Sequence, residues 1–272
     1  MRFGPKILSL GFVALGALSL LQGFSPVEDD GTIAIRGGPV LYRDAGEFLD
    51  HGRPVDAPLV RIESRTSFAI QKRQVIRAEY DACVAQRACR ALDDEGAADR
   101  PAVGLSHQDA VAYAAWLSAR TGRRWRLPTD REWALAAGSR YRDDALSAGG
   151  DPDDPARRWL AAYEAEAERA GAPDKAVRPI GGWGANEHGL LDLAGNVWEW
   201  TSTCYVRVRL EAGRDAALEN CGVRVVEGLH RATMTAFVRD PKGGACSAGV
   251  PPANLGLRLV RDEPGLLARL GL

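Results

Sequence analysis

The sequence has almost no net charge, with 35 Lys and Arg residues standing against 36 Asp and Glu. Such a balance supplies no global field to recruit nucleic acid, so no nucleic-acid partner is expected. Aromatic residues are scarce, at 7%, and Trp, with 7, is the commonest of them. Histidine is scarcer, with 4, which restricts imidazole-based metal centres. Internal repeats, low-complexity tracts and linker-like stretches are missing, and no apolar run reaches the roughly 20 residues of a membrane-spanning helix. The remaining composition, 26% charged and 46% hydrophobic, excludes a disordered chain, a collagen and a coiled coil. What is present is length and turn formers. The 272 residues suffice for one large domain or two small ones with a substantial core. Thirty Gly and 15 Pro beside the Trp residues favour a loop-dominated fold over a helical bundle.

The N-terminus reads as an export signal. Arg2 and Lys6 precede an uncharged apolar run from Ile7 to Leu21, and Gln22, Gly23 and the acidic Glu28-Asp29-Asp30 follow. Residues 1–25 are therefore expected to be a signal peptide. An N-terminal anchor is the alternative, because no clear small-x-small cleavage site follows. Residues 30–272 then form a single domain in the periplasm or another exported location, with membrane contact only through an uncleaved N-terminal segment. Cysteine usage agrees with an oxidising compartment. Two local disulfides, Cys83–Cys89 and Cys204–Cys221, are the economical pairing of four cysteines. The first staples a helix end to its loop and the second closes an insertion. Cys246 is left over among Gly243, Gly244 and Gly249, either as a buried small hydrophobe or as a reactive thiol.

Local patterns predict mixed elements. Thr32–Arg36, Val40–Tyr42 and the Phe68/Ile70 alternation read as strands, and Arg77–Val84 as a short helix. Ser106 with Asp109, and Thr129 with Glu132, are capping boxes that open two helices, closed by Gly122 and Gly138. Pro155–Ala170 reads as a third helix. From Gly181 onward the chain reads as loops with short strands around Arg224–Val226, Thr233–Val238 and Leu255–Val260. Helices interrupt strands without a βαβ rhythm, which favours an α+β class.

Three segments stand in a specific order. They are Trp125-Arg126-Leu127-Pro128-Thr129-Asp130-Arg131-Glu132-Trp133, Asn186-Glu187-His188-Gly189 through Gly195-Asn196-Val197-Trp198-Glu199-Trp200, and Asn254-Leu255-Gly256-Leu257-Arg258-Leu259-Val260. Together they resemble the formylglycine-generating enzyme superfamily, the sulfatase-modifying-factor domain, over about residues 60 to 262. The resemblance implies that family's fold, a loop-rich variant of the C-type-lectin fold. The Tyr80–Cys89 segment and the Gly243–Val260 ending look closer to NirV-type accessory proteins of nitrite reductase operons. The same segments also resemble the superfamily's periplasmic oxidase of pyoverdine maturation, PvdO.

The resemblance also carries metals. The family's Gly-Asn-Val-Trp-Glu-Trp segment contributes to a calcium site, which points to Asn196, Val197 and Glu199. Hard cations do want several oxygens of this kind. The alternative is a buried polar turn in which Asn196 and Glu199 hydrogen-bond the backbone between packed indoles. Formylglycine-generating enzymes hold copper(I) with two cysteines shortly before the final motif, a ligand choice that suits a soft metal. Here Gly228–Arg239 contains no cysteine, so that centre is not supported. A three-histidine iron centre, as in ergothioneine-type sulfoxide synthases, has no counterpart among His51, His107, His188 and His230. The catalytic candidates are Cys246, His230, Arg239, Asn254 and Arg258, with Arg231 and Met234 beside them. His230 is able to activate Cys246, because imidazolium lowers a thiol pKa, and His230, Met234 and Cys246 form a donor set that suits copper. The competing assignment makes His230 a supporting residue and Cys246 inert.

Three functions fit. The first is an accessory or maturation factor of a periplasmic, nitrite-reductase-type redox enzyme. The second is an oxidoreductase or modifying enzyme acting on a peptide-derived substrate without the copper-dithiolate site. The third is a non-catalytic lectin-fold binding module.

Overall fold

The two capping boxes open helices where the sequence places them. In the computed structural model the Ser106 hydroxyl accepts from the Asp109 N–H at 3.2 Å while Asp109 Oδ2 accepts from the Ser106 N–H at 2.9 Å. Helix α2 (His107–Thr121) runs from this box to Gly122, whose φ of 66° is the left-handed conformation glycine adopts cheaply. Its buried residues Ala110, Tyr113 and Ala114 repeat at helical spacing on one face. The Thr129/Glu132 box opens α3 (Asp130–Ala137) in the same manner. Helix α1 (Arg77–Ala85) is the short helix expected over Arg77–Val84, and its buried residues are Tyr80 and Cys83 rather than the Ala78, Ala82 and Cys83 face that the sequence pattern suggests.

The structure describes residues 31–64, 67–93, 96–145, 176–212, 217–239 and 254–262, with the isolated positions 1, 154, 156, 157, 160, 161 and 164. The expected signal at residues 2–25, most of the expected helix over 155–170, and Cys246 lie outside these residues. Residues 31–272 cluster as one unit. Among the described residues no helix is long and apolar enough to cross a membrane.

The strands among the described residues form three sheets. β1 (Thr32–Ile35), β6 (Phe68–Gln71), β7 (Trp125–Arg126) and β12 (Val260–Asp262) make one, in the order β1-β6-β12-β7. β3 (Glu47–Asp50), β4 (Arg53–Val55), β8 (Trp198–Arg209), β9 (Leu218–Glu227) and β10 (Arg231–Thr235) make the second, in the order β10-β9-β8-β3-β4, and β11 (Leu255–Gly256) pairs with β8. β2 (Pro39–Tyr42) and β5 (Val60–Glu63) form a separate ribbon. This mixture is α+β, as the sequence predicts.

The longest strands, β8 and β9, are where the sequence reads mostly as loop. β8 begins with four consecutive buried residues, Trp198 to Thr201, so it lacks the two-residue alternation that marks a half-exposed strand. Both expected disulfides are formed. Cys204–Cys221 ties the adjacent strands β8 and β9 to each other, where the sequence suggested the closure of an insertion.

The final motif joins the two larger sheets. Leu255 and Gly256 lie parallel to Trp198 and Glu199, and four residues later Val260 pairs with both Ile70 and Arg126. Gly256 is required by close approach: a Cβ there would sit 2.8 Å from the Ala102 carbonyl oxygen. The larger core cluster gathers Tyr80, Tyr113, Trp125, Trp198, Trp200 and Leu257, and a second surrounds Trp133 with Phe68, Ile70 and Leu190. The assignment of Trp125, Trp133, Trp198 and Trp200 to core is borne out.

Candidate functional site

Arg258 is 0% exposed and lies against Glu199, itself 1% exposed. Its Nη2 and Nε donate to Glu199 Oε1 at 2.9 and 3.2 Å, and Nε also reaches Oε2 at 3.0 Å. Gln74 Nε2 donates to Oε1 at 2.7 Å and Trp133 Nε1 to Oε2 at 2.8 Å. The remaining Arg258 donors close on the Gln71 and Leu191 carbonyls at 3.0 and 2.7 Å. Every sequence motif contributes to this cluster, in which both Glu199 oxygens accept hydrogen bonds while Gln74 Oε1 is buried without a partner.

That arrangement does not fit calcium. A cation at Glu199 would meet the Arg258 guanidinium, and both carboxylate oxygens already accept hydrogen bonds. Asn196 faces another partner: its Oδ1 accepts from the Arg178 N–H at 2.8 Å and its Nδ2 donates to the Arg178 carbonyl at 3.0 Å. Its φ of 66° places it in the left-handed region that Asn tolerates. Asn196 and Glu199 thus have separate partners, backbone for Asn196 and buried side chains for Glu199, and Val197 is packed at 2% exposure.

Among the described residues, the other candidates Arg239, Asn254 and His230 each engage structural partners. Arg239 clamps Asp109 through two 2.8 Å bonds and also holds the Ala91 carbonyl at 3.0 Å. Burial pushes the Asp109 carboxyl up, but hydrogen bonds from Arg239 and Ser106 outweigh it and hold the group below the usual range. Asn254 gives its carbonyl to the Trp198 N–H at 2.8 Å. His230 is buried edge-on to Trp198, with Nδ1 2.7 Å from the Arg231 carbonyl oxygen. Met234 is fully buried in the larger core cluster.

A copper dithiolate also fails to fit. Four of the five cysteines are consumed by the disulfides, so a single thiol remains. Among the described residues, the one group of three metal-ligating side chains within reach of one ion is Cys204, Glu219 and Cys221, and its two sulfurs are bonded to each other.

A second buried polar cluster was largely missed by sequence reading. The N-terminus of α3 supplies Asp130, the β9–β10 hairpin supplies Glu227 and Arg231, and β2 supplies Tyr42. Arg231 Nη1 donates to Asp130 Oδ2 and to the Tyr141 hydroxyl, each at 3.1 Å, and Nε donates to Asp144 at 3.0 Å. The Tyr42 hydroxyl donates to Asp130 Oδ2. Glu227 is 0% exposed and neither of its oxygens meets a donor, while Asp130 Oδ1 also lacks one. Burial pushes Glu227 well above the usual carboxylate range, and the neighbouring Asp130 pushes it further. A protonated Glu227 carries a donor of its own beside Asp130. Asp130 sits inside a quoted motif, but residues about a hundred positions apart carry no signal of their meeting.

Tyr42 connects this cluster to a cleft of about 460 Å³ lined also by Asp44, Thr129, Arg131, Thr203 and Cys204. Arg131 reaches Asp44 at 2.6 Å and lies over the Tyr42 ring. The cleft combines an apolar wall from Phe48, Val206 and Val208 with these polar groups, which is the make-up of a ligand or peptide side-chain pocket.

His107 offers a pH readout of the same sheet. Burial, and then the Arg224 guanidinium, lower its imidazole from 6.5 to about 4. Between those values the unfolded chain binds a proton that the folded chain refuses, so stability falls as pH drops through the window. The expected loss is about 2 kcal/mol after allowance for partial solvent screening. His107→Gln should remove that part of the slope, as read from urea midpoints at pH 7 and 4.5.

A Trp-Glu-Trp strand locked by the arginine of a parallel Asn-Leu-Gly-Leu-Arg ending, within an α+β fold, defines a formylglycine-generating-enzyme-like domain. Residues 21–263 match the family described as Sulfatase-modifying factor enzyme 1-like domain, and the chain belongs to it. It is 41% identical to a formylglycine-generating enzyme of Mycobacterium tuberculosis over 118 residues, 40% of this chain and 36% of that protein. It is 35% identical over 108 residues to a bovine (Bos taurus) protein named inactive C-alpha-formylglycine-generating enzyme 2, covering 39% of this chain and 33% of that one. The matches thus span about a third of the length of these relatives. The structure of PvdO from Pseudomonas aeruginosa shares the fold, with a TM-score of 0.54 and 19% identity over 85% of this chain and 94% of that one.

Proposed function

We propose that this chain is an exported accessory or maturation factor for a redox enzyme of the nitrite reductase type, working through recognition of a polypeptide client. The observation that carries this reading is the cysteine inventory: with four of five cysteines paired, the chain has no two thiolates with which to hold copper(I). The charged N-terminal flank followed by the Ile7–Leu21 run supports export, as do two disulfides. The cleft beside Tyr42 and Arg131 is of a size to take a client's side chain. A relative named inactive supports a family role outside cysteine oxidation.

The test has two arms. Deleting the gene should leave the client redox enzyme present but depleted of its metal and activity, and the purified chain should convert no cysteine peptide to an aldehyde. Oxygen-dependent aldehyde formation with stoichiometric copper would overturn the proposal in favour of a peptide-modifying oxidase.

A further inference from the structure

We infer that Cys204–Cys221 is an exchange-active disulfide that a dithiol opens, and not merely a staple between β8 and β9. The inference is independent of the maturation role. Three observations carry it. The two sulfurs differ in access: Cys221 is exposed, whereas Cys204 is 8% exposed and lines the cleft. They also differ in charge environment. Arg224, directly across the sheet from Cys204, places its guanidinium Nη1 2.9 Å from Cys204 Sγ, and Glu219 Oε1 lies 3.3 Å from Cys221 Sγ. Finally, the β8–β9 register shifts on both sides of Cys204, an irregularity of the kind that accompanies functional sites in sheets.

These asymmetries assign the roles in exchange. A thiolate of the dithiol attacks the exposed Cys221 Sγ, forming a mixed disulfide and breaking the Cys204–Cys221 bond. The electron pair leaves on Cys204, where Arg224 stabilises the thiolate and makes it the better leaving group. Arg224 is suited to this, because its Nε is buried without a partner and its Nη1 is already fixed on the Ser202 carbonyl at 2.6 Å. The second thiol of the dithiol, once deprotonated, then attacks its own sulfur in the mixed disulfide and releases Cys221. One proton of the dithiol ends on Cys221, whose thiol donates to Glu219, and the other goes to solvent. The dithiol is oxidised by two electrons to its disulfide, and the Cys204–Cys221 pair takes up those two electrons. Cys83–Cys89 provides an internal comparison, because both of its sulfurs belong to the buried core.

The test incubates the folded full-length chain with dithiothreitol, traps free thiols by alkylation at intervals, and maps them by mass spectrometry. Cys204–Cys221 should open at least about tenfold faster than Cys83–Cys89, since leaving-group stabilisation and access both favour it. Glu219→Gln, at an exposed position, should speed opening about fivefold by removing one negative charge near the attacked sulfur. Arg224→Gln should slow it about tenfold, and Arg224→Lys should restore most of the rate. Equal rates for the two disulfides, or opening of Cys204–Cys221 only in denaturant, would overturn the inference. An unchanged rate in Glu219→Gln would do the same even if the Arg224 variants fail to fold.

Discussion

Arg258→Met is expected to destabilise the fold by about 3 to 5 kcal/mol, a large share of the total for a domain. The reason is the charge left behind. Glu199 would remain buried, with only Gln74 and Trp133 as donors, where it now has a bidentate guanidinium. The converse change, Glu199→Leu, strands Arg258 and should cost a similar amount. Combining the two should recover most of the loss, because removing both charges removes both desolvation penalties. Urea denaturation of the two single variants and the pair closes the cycle. Additive losses would show that the lock is not a coupled pair. The outcome also bears on calcium: if Glu199 bound an ion in solution, added calcium would stabilise the protein, and the geometry predicts that it does not.

The second large effect lies at Arg231. Arg231→Met removes the cation that faces Asp130 and Asp144 and is expected to cost about 3 kcal/mol by the same argument. Glu227→Gln should act in the opposite direction. The folded-state pKa of Glu227 is raised, so its contribution to stability is fully present below the unfolded value near 4.5. It is lost progressively as pH rises toward the folded value. The amide variant carries no titrating proton and escapes that loss. The stability difference between Glu227→Gln and wild type should therefore grow in favour of the variant by about 1.4 kcal/mol per pH unit above 4.5, then level off. Chemical denaturation between pH 5 and 9 reads this directly, and a pH-independent difference would refute the raised pKa of Glu227.

Both clusters illustrate how differently the sequence exposed its own contents. The elements of the first were visible as motifs, since Trp133, Glu199 and Arg258 each sit in a quoted segment, but their roles were misleading. Glu199 beside Asn196 looks like a pair of cation ligands until Arg258 is placed between the sheets. Arg239 and His230 read as catalytic candidates because charged and imidazole groups near a terminal motif suggest chemistry. Packing makes Arg239 the clamp on the α2 cap and places His230 against an indole. The cleft beside Tyr42 had no sequence signal, because its walls come from four elements far apart in the chain: β2, β3, the start of α3 and β8.

The sequence by itself determined what local chemistry can encode. The capping boxes at Ser106 and Thr129, the left-handed Gly122, the α+β mixture, the family motifs and both disulfides follow from residues a few positions apart or from short ordered patterns. Tertiary structure alone decided which charges neutralise which, which carboxyl keeps its proton, and where the cleft opens. The physical reason is distance along the chain. Glu199 and Arg258, or Asp130 and Arg231, acquire their meaning only when folding removes water from both partners at once, and no local pattern records that encounter.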